Sequence, residues 1–278
     1  MSERRGGLIA SKLDGMRKRA KKDEKYKKRL TVFGALAITL WVGFVFFAAQ
    51  IVVFLIARML INAVNWSINE NVAQTVCMVI SYALALGVLI LVAKKIFSAQ
   101  VTRDSLGLRG LPTWTDILLS PVGYIVSLLG AVAIVYVMQL ILPVVNWSET
   151  QDVGFNNVVS SMDRIITFVA LVILAPLMEE LIFRGYLYSR LRGKMSALPA
   201  IILVSVLFGV MHGQWNVGIV VGVMSVVLCI AREMTGTIYA GILMHMIRNG
   251  IAFYMLYVNP MGLAGFGVVA PALLPFLV

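Results

Sequence analysis

The sequence predicts an all-α, polytopic integral membrane protein, a bundle of seven to eight transmembrane helices. Hydrophobic residues make up 60% of the 278 residues and charged residues only 13%, whereas soluble domains average roughly 45–50% and about 25%. The apolar residues are also gathered into runs long enough to cross a bilayer as helices. This composition excludes a soluble fold and a disordered chain, and the two cysteines exclude a disulfide scaffold.

The apolar runs, each near the roughly 20 residues that span a membrane, predict seven spans in chain order. They cover approximately residues 31–60, 72–93, 117–145, 165–188, 197–212, 217–231 and 237–258. An eighth run, 261–278, is short and rich in Gly and Pro, so whether it crosses the membrane stays open. The first run is too long and lies too deep in the chain for a cleaved signal peptide. We therefore expect a tail over residues 1–30 and a transmembrane domain over 31–278.

The net charge of +11 is concentrated in the tail, because residues 1–30 hold 12 of the 24 Lys and Arg residues and 4 of the 13 acidic residues. A basic segment directly before an apolar run is typical of a cytoplasmic tail that contacts anionic lipids. The loops after the second, fourth and sixth spans are also basic, as the positive-inside rule requires of cytoplasmic loops. The sequence thus predicts a cytoplasmic N-terminus at the bilayer surface, and no nucleic-acid partner is expected.

Ionisable side chains inside apolar spans are informative because each one costs about 2.5–3.5 kcal/mol at mid-membrane on insertion scales. The fourth span carries two adjacent carboxylates, Glu179 and Glu180, followed by Arg184. Glu180 and Arg184 are four residues apart on one helix face, so they predict a structural ion pair. Glu179 points about 100° away from Glu180, which predicts a different role for this carboxylate.

The two histidines of the chain lie in later spans. His212 is the last residue of the fifth span, and His245 lies in the seventh span, four residues or about one helical turn before Asn249. Counting about 1.5 Å per residue from the predicted cytoplasmic ends places Glu179, His212, His245 and Asn249 roughly 13–24 Å deep, within a hydrocarbon core of about 30 Å. We therefore expect these four side chains to form a joint site.

The residue types of this predicted site are suited to hydrolysis. A carboxylate and an imidazole around one water can take its proton and create a nucleophile. A second imidazole and a carboxamide can donate hydrogen bonds to the oxyanion of a tetrahedral intermediate. Glu179, His212 and His245 could equally hold a divalent metal such as zinc. From these residues alone, both forms of peptide-bond hydrolysis stay open.

These residues resemble the motifs of the CAAX protease and bacteriocin-processing family (CPBP, also called Abi) of intramembrane peptidases. The family shows E-E-x-x-x-R, then F-x-x-x-H, then H-x-x-x-N or D on successive helices. The chain carries all three without departure, starting at Glu179, Phe208 and His245. The resemblance covers about residues 165–250 and implies a catalytic core over about 165–258.

The resemblance implies an intramembrane endopeptidase that acts on a peptide or a membrane protein. Glu179 is then the catalytic base with His212 on the attacking water, while His245 and Asn249 form the oxyanion hole. Glu180 and Arg184 are implied to organise the site. Members of the family are described as metalloproteases, yet a metal-free glutamate mechanism is argued for the CAAX-processing branch, so the cofactor is either a metal or none. We expect a site that is reached from the cytoplasmic leaflet.

Two functions of other classes remain as alternatives. A non-catalytic membrane scaffold or immunity protein of the same fold would keep the motif residues for structure. A cation-coupled transporter would also use buried Glu and His residues, although the sequence shows no paired inverted repeats. The substrate is equally open among prenylated C-termini, bacteriocin leaders, signalling peptides and membrane-protein tails.

Overall fold

The computed structural model describes residues 2–64, 68–95, 100–147, 149, 153–155 and 157–259, with the helical backbone alone for residues 2–30 and 64. These described residues contain helices and no strand. When adjoining α- and π-helical stretches are taken together, the helices are α1 Ser2–Val64, α2 Glu70–Lys95, α3 Trp114–Ile141, α4 Ser161–Arg192, α5 Ala197–Val210, α6 Trp215–Thr235 and α7 Tyr239–Phe253, which continues as the π-helix Tyr254–Val258.

Five helical segments among the described residues are long and apolar enough to cross a membrane: Thr31–Ala63 of α1 and the whole of α2, α3, α4 and α6. Helix α5 is apolar but has only 14 residues. Each of the seven predicted spans overlaps one helix, which confirms a polytopic helical bundle and an integral membrane protein. The predicted eighth span, 261–278, lies outside the described residues, as do the side chains of the tail.

Helix α4 is irregular around its two glutamates. The α-helical stretch Ala175–Glu180 lies between two π-helical stretches, Val169–Leu174 and Leu181–Tyr188. Pro176 has no backbone N–H to donate to the preceding turn, and the first π-helical stretch ends two residues before it. Because π-helical turns are rare and often occur at functional sites, the irregularity marks this part of α4 as a place where the helix departs from regular packing.

Helices α5 and α6 meet backbone to backbone at two glycines. A Cβ atom on Gly209 would lie 2.5 Å from the carbonyl oxygen of Gly218, and a Cβ atom on Gly218 would lie 2.7 Å from the carbonyl oxygen of Gly209. No other residue fits at either position without moving a backbone. This contact fixes the end of α5 against α6 just before the turn that carries His212.

The bundle has two ends, which are defined by contacts between segments. At the end called here the basic end, the segment 100–113 reaches the turn between α6 and α7, where the Ile238 N–H donates to the carbonyl of Gly107 at 3.1 Å. At the opposite end, called here the acidic end, the start of α2 reaches the segment before α4, where Asn71 Nδ2 donates to the carbonyl of Asn157 at 2.9 Å. Asn216 at the start of α6 donates to the Glu149 carbonyl at the same acidic end.

Candidate active site

Glu180 forms the predicted ion pair in the centre of the bundle. Its Oε1 accepts a hydrogen bond from Arg184 Nη1 at 2.8 Å, and both side chains are fully buried. The Arg184 guanidinium also lies over the ring of Phe208, 4.4 Å from the centroid, where the negative face of the ring attracts the cation. On α7, a Cβ atom at Gly241 would lie 2.8 Å from Glu180 Oε2, so glycine lets α7 approach this carboxylate. Glu180 and Arg184 therefore hold α4, α5 and α7 together.

Glu179, the neighbouring carboxylate, faces a different environment, as its helical position predicts. Its side chain is 14% exposed and lies on the wall of a cavity of about 540 Å³. His212 and Tyr82 line the same cavity, and most of the remaining wall is apolar. A carboxylate and an imidazole thus share one pocket inside the membrane-spanning bundle. Besides the part supplied by α4, most of the cavity wall lies on the acidic-end side of the bundle.

His245 lies between the two glutamates, a position that the helical spacing of α4 could not reveal. Its Nδ1 is 3.3 Å from Glu180 Oε1, and its Nε2 is 3.8 Å from Glu179 Oε2. A carboxylate only accepts, so the shorter contact assigns the proton of a neutral ring to Nδ1 and leaves Nε2 facing Glu179. Although Glu179 and Glu180 point apart, the same imidazole joins them because α7 crosses α4 at this level.

His212 lies in the turn that follows α5. Its Nδ1 is 2.8 Å from the carbonyl oxygen of Phe208, and since a carbonyl only accepts, this bond assigns the ring proton to Nδ1. The next residue, Gly213, has a φ of +74°, the left-handed conformation that lets the chain turn into α6. The Nε2 atom of His212 is therefore the acceptor nitrogen of a ring that lines the cavity.

Tyr82 on α2 is a site residue that the sequence reasoning missed. Its hydroxyl donates a hydrogen bond to Glu179 Oε1 at 2.6 Å, and the side chain is buried. Tyr82 belongs to no motif, and the helix that carries it has no recognised signature. The available signal was a phenol inside an apolar span, because a buried Tyr hydroxyl usually needs a polar partner.

Asn249 lies one turn after His245 on α7, as predicted, but its amide is engaged by α4. Its Nδ2 donates to the carbonyl of Leu171 at 2.8 Å, and its Oδ1 accepts from Arg248 Nη1 at 3.2 Å. Within the described part of the chain, neither His245 nor Asn249 is among the residues that line the cavity. The structure thus joins Glu179, Glu180, Arg184 and His245 in one cluster, places His212 on the lining of the same cavity as Glu179, and attaches Asn249 to the π-helical stretch.

Glu179, His212 and His245 are the residues that the sequence predicts to hold a metal ion, if one is bound. The described residues contain no cluster of three His, Cys, Asp or Glu side chains with the spacing of metal ligands. Glu179 accepts from Tyr82, and His245 faces two carboxylates, so both groups already have protein partners. In this structure these three side chains do not fit a three-ligand metal site.

The segment that carries this cluster matches a known protein family. Residues 161–251 match a family model described as type II CAAX prenyl endopeptidase Rce1-like. Over this segment the chain is Rce1-like. The match confirms the family predicted from the three motifs, and all of the predicted site residues lie inside it. No curated protein and no solved structure matches the chain at a significant level.

The Rce1-like segment indicates a protease, but it contains only part of the cavity wall. Its family is one of proteases, which implies a peptide substrate in a membrane context. Helices α1 and α2, which supply the other wall of the cavity and the Tyr82 hydroxyl, lie outside the Rce1-like segment. The complete pocket therefore combines family residues with residues that no motif indicated.

Proposed function

We propose that the protein is an intramembrane endopeptidase that hydrolyses a peptide bond with a water molecule activated by Glu179 and His212. One observation supports this function above the others: a carboxylate and an imidazole face the same cavity within apolar helices. The Rce1-like match supports the reaction class. A scaffold protein would need no cavity at these side chains.

The first step follows from the hydrogen bonds that these groups already make. Tyr82 donates to Glu179 Oε1, which leaves Oε2 as the oxygen that takes a proton from water. His212 donates from Nδ1 to the Phe208 carbonyl, so its Nε2 accepts the second hydrogen of that water and orients it. The oxygen then attacks the carbonyl carbon of the peptide bond while the proton passes to Glu179.

The second step breaks the carbon–nitrogen bond. The tetrahedral intermediate carries a negative oxygen, and His245 and Asn249 are proposed to donate hydrogen bonds to it. As an imidazolium, which carries a hydrogen on both ring nitrogens, His245 presents Nε2 at 3.8 Å from Glu179 Oε2, a distance longer than a hydrogen bond. Asn249 Nδ2 carries a second hydrogen besides the one given to Leu171. Movement of Glu179 toward the bound water would uncover these donors. Glu179 finally returns its proton to the leaving amine.

The remaining charges keep this machinery in place. Glu180 holds Nδ1 of His245, and Arg184 neutralises Glu180 in a region without water exposure. A buried carboxylate without a partner would cost several kcal/mol. The pair is therefore proposed to position His245 behind Glu179 rather than to touch the substrate.

The substrate is proposed to be a peptide or a membrane-protein segment that enters the apolar cavity. The family description names CAAX prenyl endopeptidases, so a lipid-modified peptide end is one candidate. Leader peptides, signalling peptides and the tails of membrane proteins fit the same apolar walls. Mass spectrometry of a peptide mixture incubated with the full-length protein would distinguish these classes.

The proposal is tested by replacing Glu179 with its neutral isostere. Glu179→Gln should lower peptide cleavage by the purified full-length protein about 100- to 10,000-fold, because general-base catalysis contributes that much. Glu233→Gln is the matched control, since this glutamate pairs with Arg192 at the basic end and should leave cleavage within twofold or so of the parent chain. Wild-type cleavage by Glu179→Gln would rule out the mechanism.

The same assay separates the metal-free mechanism from a zinc peptidase. We expect cleavage to persist in the presence of a strong chelator, because the described side chains form no cluster of three metal ligands. Loss of a bound metal together with cleavage, and recovery of both on adding zinc, would overturn this part of the proposal. Metal content of the purified protein is measured in the same samples.

A further inference from the structure

We propose that the cavity receives its substrate from the extracytoplasmic side of the membrane, at the acidic end of the bundle. This inference rests on the proposed function, because it assumes that the cavity is the place of peptide cleavage. It differs from the cytoplasmic access expected from the sequence. Three independent features support it: the position of the cavity walls, the closure of the basic end, and the distribution of charge.

Outside α4, most of the cavity wall comes from the acidic-end half of its helices. On α1 they include Gln50 and Leu55, in the second half of the Thr31–Ala63 segment, and on α2 they include Gln74 and Cys77, in the first two turns. His212 contributes from the turn after α5. Val153 and Phe155, from the segment between α3 and α4, complete the cavity at this end. The walls therefore extend from Glu179 toward the acidic end.

Three packed aromatic rings close the inner end of the cavity. Phe183 lies 5.9 Å from Phe46 and 4.9 Å from Phe208, measured between ring centroids. Beyond these rings, toward the basic end, the interior is filled by fully buried residues from α1, α2, α4 and α5: Val42, Leu89, Leu187 and Val204. A peptide cannot pass this layer without unpacking the core.

The segment 100–113 covers the basic end from outside the core. Its Gly107 carbonyl accepts from the Ile238 N–H, and its Gly110 carbonyl accepts from the Tyr239 hydroxyl at 2.9 Å. The same segment packs on α4, because a Cβ atom on Gly185 would lie 3.0 Å from the carbonyl oxygen of Leu106. The basic end is therefore closed twice, by the core and by this covering segment.

Charge orients the two ends in the membrane. Besides the tail, the described residues place these cations at the basic end: Lys94, Lys95, Arg103, Arg109, Arg190, Arg192, Lys194 and Arg232. The acidic end has Arg58 and Arg164 beside the acids Glu70, Glu149 and Asp163. The positive-inside rule assigns the basic end to the cytoplasm, so the cavity opens on the other side. The substrate class is then an outward-facing peptide segment, such as a secreted precursor or the external end of a membrane protein.

Thiol labelling of the full-length protein tests this route without relying on cleavage. Cys77 lines the cavity and is partly exposed, whereas Cys229 is buried. A membrane-impermeant maleimide is applied to right-side-out and to inverted membrane vesicles. Two reporters, each in a Cys77→Ser background, mark the ends: Val159→Cys at the acidic end, where the side chain is 81% exposed, and Ser196→Cys at the basic end, also exposed.

The expected result is labelling of Cys77 and of Val159→Cys in right-side-out vesicles, with loss of that labelling in inverted vesicles, and the reverse for Ser196→Cys. Labelling of Ser196→Cys in right-side-out vesicles would overturn the orientation. Labelling of Cys77 from the Ser196 side, or from neither side, would overturn the route. If labelling is as expected while Glu179→Gln still cleaves, the proposed function fails and the accessible cavity stands.

Discussion

The two walls of the cavity differ in origin and in burial. The wall formed by the Rce1-like segment, called here the motif wall, contains Glu179, Phe183, Phe208 and His212. The wall formed by α1 and α2, called here the helper wall, is more open, and Ile51 on it is 57% exposed. The motif wall is supported by buried charges, whereas the helper wall is apolar except for a few polar side chains. The comparison shows that the reacting groups and the shape of the pocket come from different parts of the chain.

The largest effect is expected on the buried support of the motif wall. Arg184→Leu leaves Glu180 charged and without its cation in the core, which should lower the free energy of unfolding by about 3–5 kcal/mol. The double variant with Glu180→Leu should regain much of that loss, because it removes both charges. Chemical denaturation in detergent measures both variants.

Arg192→Leu is the control for this pair. It breaks the partly exposed contact with Glu233 and should cost no more than about 1 kcal/mol. Equal losses for Arg184→Leu and Arg192→Leu would show that burial of the Glu180 pair contributes nothing.

An intermediate effect is expected where the helper wall touches the motif wall. Tyr82→Phe removes the hydroxyl that donates to Glu179 Oε1, an interaction with a charged group that is worth about 1.5–3 kcal/mol. We expect kcat to fall roughly ten- to hundredfold and the free energy of unfolding to fall by no more than about 3 kcal/mol, while KM stays close to that of the parent chain. Tyr136→Phe on the exposed face of α3 is the matched control. A change confined to KM or to stability would show that Tyr82 contributes packing and does not support catalysis by Glu179.

The smallest effect is expected from the apolar part of the helper wall. Leu55→Ala enlarges the cavity at a half-exposed position, and surface changes of this kind are usually worth within about 0.5 kcal/mol. Cleavage of a preferred peptide should therefore change by no more than a few fold, with a shift toward bulkier side chains in a peptide mixture. Leu40→Ala, on the exposed face of the same helix, should alter neither. An effect as large as that of Tyr82→Phe would erase the distinction between the two walls.

Much of the fold and the motif wall could be predicted from the sequence because both depend on short-range patterns. Apolar runs mark the spans, and the four-residue spacing of Glu180 and Arg184 fixes a shared helix face, which the ion pair confirms. Depth along the helices also predicted that the side chains of the joint site would all lie within the hydrocarbon core. These inferences need only the geometry of a single helix and the cost of charge in a membrane.

The helper wall could not be predicted because it depends on how distant helices cross. Nothing near Tyr82 in the chain indicates a carboxylate 97 positions away. The π-helical stretches of α4 shift its side chains relative to a regular helix, so which partners His245 and Asn249 would take was equally hidden. The family motifs identify the reacting side chains, but they do not indicate toward which side of the membrane the cavity opens.

The glycine contact between α5 and α6 has a mechanical consequence. Because Gly209 and Gly218 already touch through their backbones, the helices on either side of the His212 turn have no room to approach each other further. Any widening that admits a bulky substrate must then come from the helper wall, whose outer half on α1 is exposed for most of its length. The motif wall, which holds the reacting groups, is therefore fixed at the glycine contact, and the helper wall is the side of the pocket that is free to widen.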